Sequence, residues 1–179
     1  APHPSFIVLP LADEILGSRP VPIYIVDPDG VDEFQDVAYI TGHPDLPRSS
    51  GFHVLNHKAI ARKASRDLGK RYEDADLVVA HMGGGISIAA HRHGLVVDST
   101  SGGSAGEGPF GTNRTGPLPL NKLVDRCFSG AYTKSEIMDL IMTQGGFLAH
   151  TGCTDLRIIE QKAADGDAHC DLIIRAFIY

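Results

Sequence analysis

The sequence predicts a mixed domain, α/β or α+β. Three observations carry that expectation: an early β-branched run, a three-strand β pattern in mid-chain, and a purely helical pattern after a glycine-dense stretch. Size and composition fit it. The chain has 179 residues, 42% hydrophobic and 21% charged, which is one ordinary domain or a piece of something larger, and not a disordered chain. Glycine is the outlier at 20 residues, ten of them between Gly83 and Gly116.

The elements follow in order. Phe6-Ile7-Val8-Leu9 is an apolar stretch close to the first residue. Val21 to Val26 reads as a buried strand, β-branched and aromatic with Pro22 near its start, and Asp27-Pro28-Asp29-Gly30 ends it as a turn. Thr41 to Gly51 is a loop rich in Pro, Ser and Gly. A helix is expected from about Asn56 to Leu68, with Asn56 as cap, Leu55, Ala59, Ala61, Ala64 and Leu68 on one face, and Gly69 as stop. Strands are expected at Asp76–Met82, Ile86–Arg92 and Leu95–Asp98, forming an antiparallel meander turned at His93-Gly94, with Ile86, Ile88 and Ala90 alternating. A long glycine-rich loop, Ser99 to Gly116, follows. Helices are then expected at Pro119–Phe128, from the capping box Thr133-Lys134-Ser135-Glu136 to Gly145-Gly146, at Asp155–Ala164, and from Ala168 onward.

Charge and cysteine usage exclude some functions. Asp and Glu outnumber Lys and Arg by 22 to 16, a net charge of −6, and no basic run is long enough for a nucleic-acid surface. No stretch approaches the roughly 18 apolar residues of a membrane span. The first residues, Ala1-Pro2-His3-Pro4, lack the charged start of a signal peptide. Cys127, Cys153 and Cys170 are few, odd in number and far apart, and read as core thiols of a cytoplasmic protein. The apolar helical pattern from Leu172 stops without a terminator, so a piece of a longer protein is expected.

Five features could carry chemistry. His81-Met82-Gly83-Gly84-Gly85-Ile86-Ser87 is a glycine turn between strands, where backbone N–H groups can converge on phosphate; a wide hairpin turn is the alternative. It has neither Walker nor dinucleotide spacing. Gly111-Thr112-Asn113-Arg114-Thr115-Gly116 places an arginine on a flexible loop, suited to a phosphoryl oxygen or simply to solubility. His53 precedes a helix, where it meets an anion or packs at the core edge; His57, one turn on, is expected to pack. Asp27 ends a strand, where α/β sheets place ligands, or is only an Asp-Pro turn residue. His91 and His93 lie two apart with no obvious third metal ligand, and read as exposed.

Taken in order, Ile25-Val26-Asp27-Pro28, Gly51-Phe52-His53 with Asn56-His57-Lys58-Ala59, the His81–Ser87 string, Gly106-Glu107-Gly108-Pro109-Phe110 and Arg114-Thr115-Gly116 resemble the acetate/butyrate kinase (acetokinase) family. His81-Met82-Gly83-Gly84-Gly85 and Leu123–Gly130 look like its butyrate kinase branch; Gly111-Thr112-Asn113 looks more like the acetate branch. The family's opening Gly/Ser/Thr hairpin and its late C-terminal segment have no match here.

That resemblance implies an actin-like, sugar-kinase-like (ribonuclease H-like) two-lobed ATPase fold, present in part. Residues 1–75 would close the first lobe and 76–179 would open the second. It implies transfer of the ATP γ-phosphoryl group, with Mg²⁺, to a short-chain fatty acid such as butyrate, in a cytoplasmic homodimer. Acetate, propionate or a branched acid are alternative substrates. Arg114, His53 and Asp27 would be catalytic, with Asp27 orienting the substrate or the Mg²⁺ site. His81, Gly83, Gly84, Gly85 and Ser87 would hold nucleotide phosphates. The segment alone would be nearly inactive. A non-catalytic actin-like nucleotide-binding or interaction fragment is the competing expectation.

Overall fold

The computed structural model describes residues 5–28, 31–100 and 106–179. The expectations at residues 1–4, at the end of the Asp27–Gly30 turn and in the middle of the glycine loop (101–105) lie outside the described residues.

The meander forms as expected. Strands β1 (Leu77–Met82), β2 (Ile86–Arg92) and β3 (Leu95–Ser99) make one antiparallel sheet in the order β1-β2-β3. His81 pairs with Ser87 and Met82 with Ile86, so the three glycines are the whole turn, closed by Gly83 N–H donating to Gly85 O at 3.0 Å. Directly opposed residues share a face. One face therefore carries Val79, His81, Ser87, Ala89 and His91, and the other Val78, Met82, Ile86, Ile88 and Ala90.

The helix expected at 56–68 spans Val54–Asp67 (α2) and lies against β1. Gly69 ends it in the left-handed region as expected, but Asn56 does not cap it: the N-cap is His53, without a side-chain cap bond. Its buried face is Val54, His57, Lys58, Ala61 and Ser65, whereas Leu55 and Leu68 are exposed. The apolar alternation in β2 misleads in the same way. Helix α2 covers the Ser87/Ala89/His91 face, and Ile86, Ile88 and Ala90 stay half-exposed. His91, expected outside, is buried and hydrogen-bonded to the Tyr72 hydroxyl at 2.7 Å, while His93 is exposed in the turn.

Val21–Val26 is not a strand. It carries no regular secondary structure and no paired strand among the described residues, and Tyr24 is 81% exposed. A β-branched run becomes a strand only when a sheet edge satisfies its backbone. The apolar N-terminal stretch lies in helix α1 (Ser5–Leu16), whose Ile7, Leu11 and Ile15 are also exposed.

The C-terminal part is helical: α3 (Leu120–Cys127), α4 (Lys134–Met142), α5 (Gly146–Thr151), α6 (Leu156–Ala164) and α7 (Ala168–Ile178). The Thr133/Glu136 capping box is present, and Asp155 and Asp167 cap α6 and α7. Helix α5 was not foreseen. Gly145-Gly146 starts it rather than merely ending α4. Cys127, expected in the core, is exposed on α3, whose Leu120 and Val124 are exposed as well; Cys153 is half-buried and Cys170 buried.

Two main cores result. Phe34, Ala38, Phe52 and Val54 pack with Ala89 and Val96, so packing continues across residue 75. Phe147, Ile159, Cys170 and Ile173 pack with Phe110 and Phe177. Phe110 stands 5.2 Å from Phe147 and 5.6 Å from Phe177 between ring centroids, which ties the loop leading to Arg114 to the helical part.

Candidate functional site

Three elements bring polar groups to the glycine turn. The first is the N-terminus of α2. Phe52 and Val54 are buried on either side of His53, and this aims its ring at β2. His53 Nδ1 lies 2.8 Å from Ser87 Oγ. The ring stacks on His81, centroids 3.8 Å apart and planes 11° from parallel. Asn56 donates its side-chain amide to His81 Nδ1 at 2.9 Å.

The second element is the turn itself. A β-carbon placed on Gly85 would stand 2.6 Å from Arg114 Nη1 and 3.4 Å from His53 Cε1. One on Gly83 would stand 3.1 Å from His81 Nε2. The missing side chains of Gly83 and Gly85 are thus the space in which the arginine and both histidines meet.

The third element is the Arg114 loop. Gly111 N–H donates to Arg114 O at 2.9 Å, which closes a tight turn. Gly145 N–H donates to Asn113 O, Phe147 N–H to Gly111 O and Leu148 N–H to Thr112 O, so the start of α5 grips that turn through backbone alone. Gly146, at φ +60°, allows this approach: any β-carbon there would fall onto Gly111 O and stand 2.8 Å from Arg114 O. Earlier in the loop, Glu107 accepts from Arg48 Nε at 2.7 Å and Nη2 at 2.9 Å. Arg48 also bonds Ala38 O and Ser99 O, both at 2.7 Å, and reaches Asp98 at 3.0 Å.

The structure therefore groups His53, His81, Gly83, Gly85 and Arg114, with Gly84 O packed beside Gly111. Two predicted residues stand apart. Ser87 is fully buried, its hydroxyl held between His53 and His57 Nε2 (2.7 Å), and so faces away from any ligand over the turn. Asp27, at φ +44°, accepts from Arg62 at 2.6 and 3.1 Å. Arg62 is nine residues along α2 from His53, about 13 Å at 1.5 Å per residue. That pairing, its hydrogen bond foremost, lowers the Asp27 pKa.

Behind the stacked pair lies a buried polar line. His57 is 0% exposed and His91 2%, with ring centroids 5.9 Å apart. Burial pushes both down to about 4; neighbouring histidines add to the effect at His57, and Lys58 adds to it at His91. His57 Nδ1 and His91 Nε2 are buried with no hydrogen-bond partner.

Sequence reading missed Asn56, His57, Arg48, Glu107 and the Gly145-Gly146 grip as parts of the site. Asn56 read as a cap, His57 as packing, Glu107 as one residue of a motif string and the Gly-Gly pair as a helix end, while Arg48 left no signal. A cavity of about 350 Å³ opens beside the loop, lined by Thr115, Gly145, Gly146 and His150, and none of the predicted residues lines it. Among the described residues no three His, Cys, Asp or Glu are placed to hold a metal ion, and no helix is long and apolar enough to cross a membrane. Both Asp27 oxygens accept from Arg62, so Asp27 is engaged by a guanidinium and not set out as a Mg²⁺ ligand.

A β-meander with a glycine turn, packed against a helix N-terminus and an arginine loop and followed by helices, fits part of an actin-like α/β fold. Solved structures bear this out. The chain superposes on Porphyromonas gingivalis acetate kinase with a TM-score of 0.72 at 27% identity, covering 80% of this chain and 38% of that one. It superposes on a Francisella tularensis propionate kinase with a TM-score of 0.69 at 25% identity, with the same coverage. The profile of the Acetokinase family matches residues 43–179, and the chain belongs to that family. It is 43% identical over 178 residues to a probable butyrate kinase of Clostridium botulinum (strain Alaska E43 / Type E3), covering 99% of this chain and 50% of that protein. It is 44% identical over 169 residues to butyrate kinase 1 of Clostridium acetobutylicum, covering 94% of this chain and 47% of that protein. The chain spans about half the length of the curated relatives it matches.

Proposed function

We propose that the complete protein is a carboxylate kinase. It would move the ATP γ-phosphoryl group to a short-chain fatty acid, butyrate in the first instance, and release an acyl phosphate and ADP. One observation carries the reading: Arg114, His53 and His81 converge on the space left by Gly83 and Gly85. Phosphoryl transfer asks for positioned positive charge and N–H donors more than for covalent groups. Arg114 would meet the equatorial oxygens of the transferring group, His53 would donate to the same group, and the turn with His81 would hold the nucleotide phosphates.

Mg²⁺ would arrive bound to ATP. Asp27, locked to Arg62, would shape the first-lobe side of the cleft rather than touch phosphate. The second lobe would begin at residue 76. The relatives' names favour butyrate over acetate or propionate. A homodimer in the cytoplasm is part of the same proposal.

The test is acyl phosphate capture with hydroxylamine, using the complete gene product, Mg-ATP and a panel of straight and branched acids. Butyrate should give the highest kcat/KM. Arg114→Ala should cut kcat roughly 10²–10³-fold with ATP affinity nearly kept. The 179-residue chain alone should turn over little. No acyl phosphate from the complete protein with any acid would refute the kinase reading and favour a nucleotide-binding module.

A further inference from the structure

His53 reaches the glycine turn with one edge of its ring, and what that edge offers depends on which nitrogen bears the proton. Its Nδ1 faces Ser87 Oγ at 2.8 Å, and the same oxygen lies 2.7 Å from His57 Nε2. Ser87 has a single hydroxyl proton, so it can donate to one ring only, and its two lone pairs are left to accept from the other ring and from the His53 backbone N–H at 3.5 Å. His57 decides the direction. Its Nδ1 is buried without a partner, and a stranded N–H is rarer in folded proteins than a stranded acceptor. The proton of neutral His57 therefore belongs on Nε2, which donates to Ser87.

From this geometry we infer that Ser87 and His57 are positioning residues forming a one-way hydrogen-bond relay, His57 Nε2–H to Ser87 Oγ–H to His53 Nδ1, that fixes His53 as the Nε2–H tautomer. Asn56 does the same for the stacked partner, because its amide N–H₂ donates to His81 Nδ1 and leaves the proton on Nε2. Both rings then present an N–H edge around Gly83 and Gly85, beside the Arg114 guanidinium. In this tautomer each of the two rings, stacked at 3.8 Å, carries one N–H toward the turn. Burial supports this, since it holds His57 neutral down to about pH 4.

The value of these donors for catalysis rests on the kinase reading; the tautomer itself does not. The decisive measurement is long-range ¹H–¹⁵N correlation on the histidine-labelled 179-residue chain near neutral pH. His53 should show a bare Nδ1 and a protonated Nε2. Ser87→Thr keeps the hydroxyl and His57→Gln keeps a donor at the Nε2 position, so both should retain the pattern. Ser87→Ala should give a tautomer mixture. In the complete protein, Ser87→Ala should lower kcat roughly 10- to 100-fold with KM for the acid little changed, and Ser87→Thr should recover most of the loss.

His53 protonated on Nδ1 in the unaltered chain, or an unchanged tautomer in folded Ser87→Ala, overturns the relay. If Ser87→Ala does not fold, the unaltered chain and Ser87→Thr decide the matter. The expected tautomer in a complete protein that makes no acyl phosphate leaves the relay standing and removes the kinase. Acyl phosphate formation with the wrong tautomer does the reverse.

Discussion

Replacing Arg48 by Met removes the guanidinium and keeps most of the side chain's stem, so it isolates the clamp on the Arg114 loop. Arg48 joins four segments: the loop it sits on, the short 3₁₀ helix Asp36–Tyr39 at Ala38, the end of β3 at Asp98 and Ser99, and Glu107 at the start of the arginine loop. Breaking a fully buried ion pair costs about 3–5 kcal/mol, and a hydrogen bond to a charged group is worth about 1.5–3. The Arg48 side chain is 22% exposed and that of Glu107 32%, so water recovers part of both charges. Two backbone carbonyls, Ala38 O and Ser99 O, lose this donor. The balance is a loss of about 2–3 kcal/mol, or a fall in Tm of roughly 5–10 °C at about 2–4 °C per kcal/mol for a chain of this size.

Urea unfolding of the 179-residue chain, with a thermal melt beside it, measures this directly. Arg48→Lys keeps the charge but not the fork, and should lose about 1–2 kcal/mol, since one ammonium does not span the same acceptors. A double-mutant cycle with Glu107→Gln should return a coupling of at least about 1 kcal/mol. If Arg48→Met unfolds within about 0.5 kcal/mol of the unaltered chain, it behaves as an ordinary surface substitution, and the clamp is not what holds the loop.

Three more outcomes are expected. Stability should fall between pH 6.5 and about 4, because His57 and His91 stay neutral in the fold while the unfolded chain protonates them from 6.5 downward; each ring contributes up to roughly 3 kcal/mol, and a flat urea midpoint across that window would contradict it. The lowered carboxyls of Asp27, Asp155 and Asp167 act in a separate, lower window, below about 3.8. Gly85→Ala should cost under about 1 kcal/mol of stability, since it meets the end of a flexible arginine, yet lower kcat of the complete protein roughly 10²-fold by displacing Arg114; loss of both together would show a backbone role instead. Gly146→Ala, at φ +60° and against Gly111 O, should cost more than about 3 kcal/mol and melt the α5 grip, seen as rapid amide exchange at Phe147 and Leu148.

What was legible in the sequence was whatever local chemistry decides. The meander came from alternation and a Gly-bearing turn, and α4 from a capping box whose two bonds both form. The ends of α6 and α7 came from Asp caps, and the stop of α2 from Gly69. What failed depended on partners. Val21–Val26 has strand composition but no neighbouring strand among the described residues, and Leu120, Val124 and Cys127 make an apolar stripe that nothing in their own helix covers. Periodicity reports that a face is apolar. It does not report what lies against it.

The same limit explains why the site was half-read. His53, His81, the glycines and Arg114 were visible because a motif spaces them along the chain. The residues that set their chemistry sit on the face that a hydrophobicity argument assigns to solvent. Ser87, His57 and His91 are buried between α2 and β2, where apolar side chains of similar size would avoid the cost of two unpartnered ring nitrogens. A fold selected for stability alone would fill that layer with Leu and Val. This one keeps a buried hydroxyl between two imidazoles, and one of those imidazoles is the ring that reaches the glycine turn. On the relay proposed above, polarity held in the core directly behind His53 serves to control that histidine's proton, which would tie the packing of α2 on the sheet to the proposed chemistry at its N-terminus.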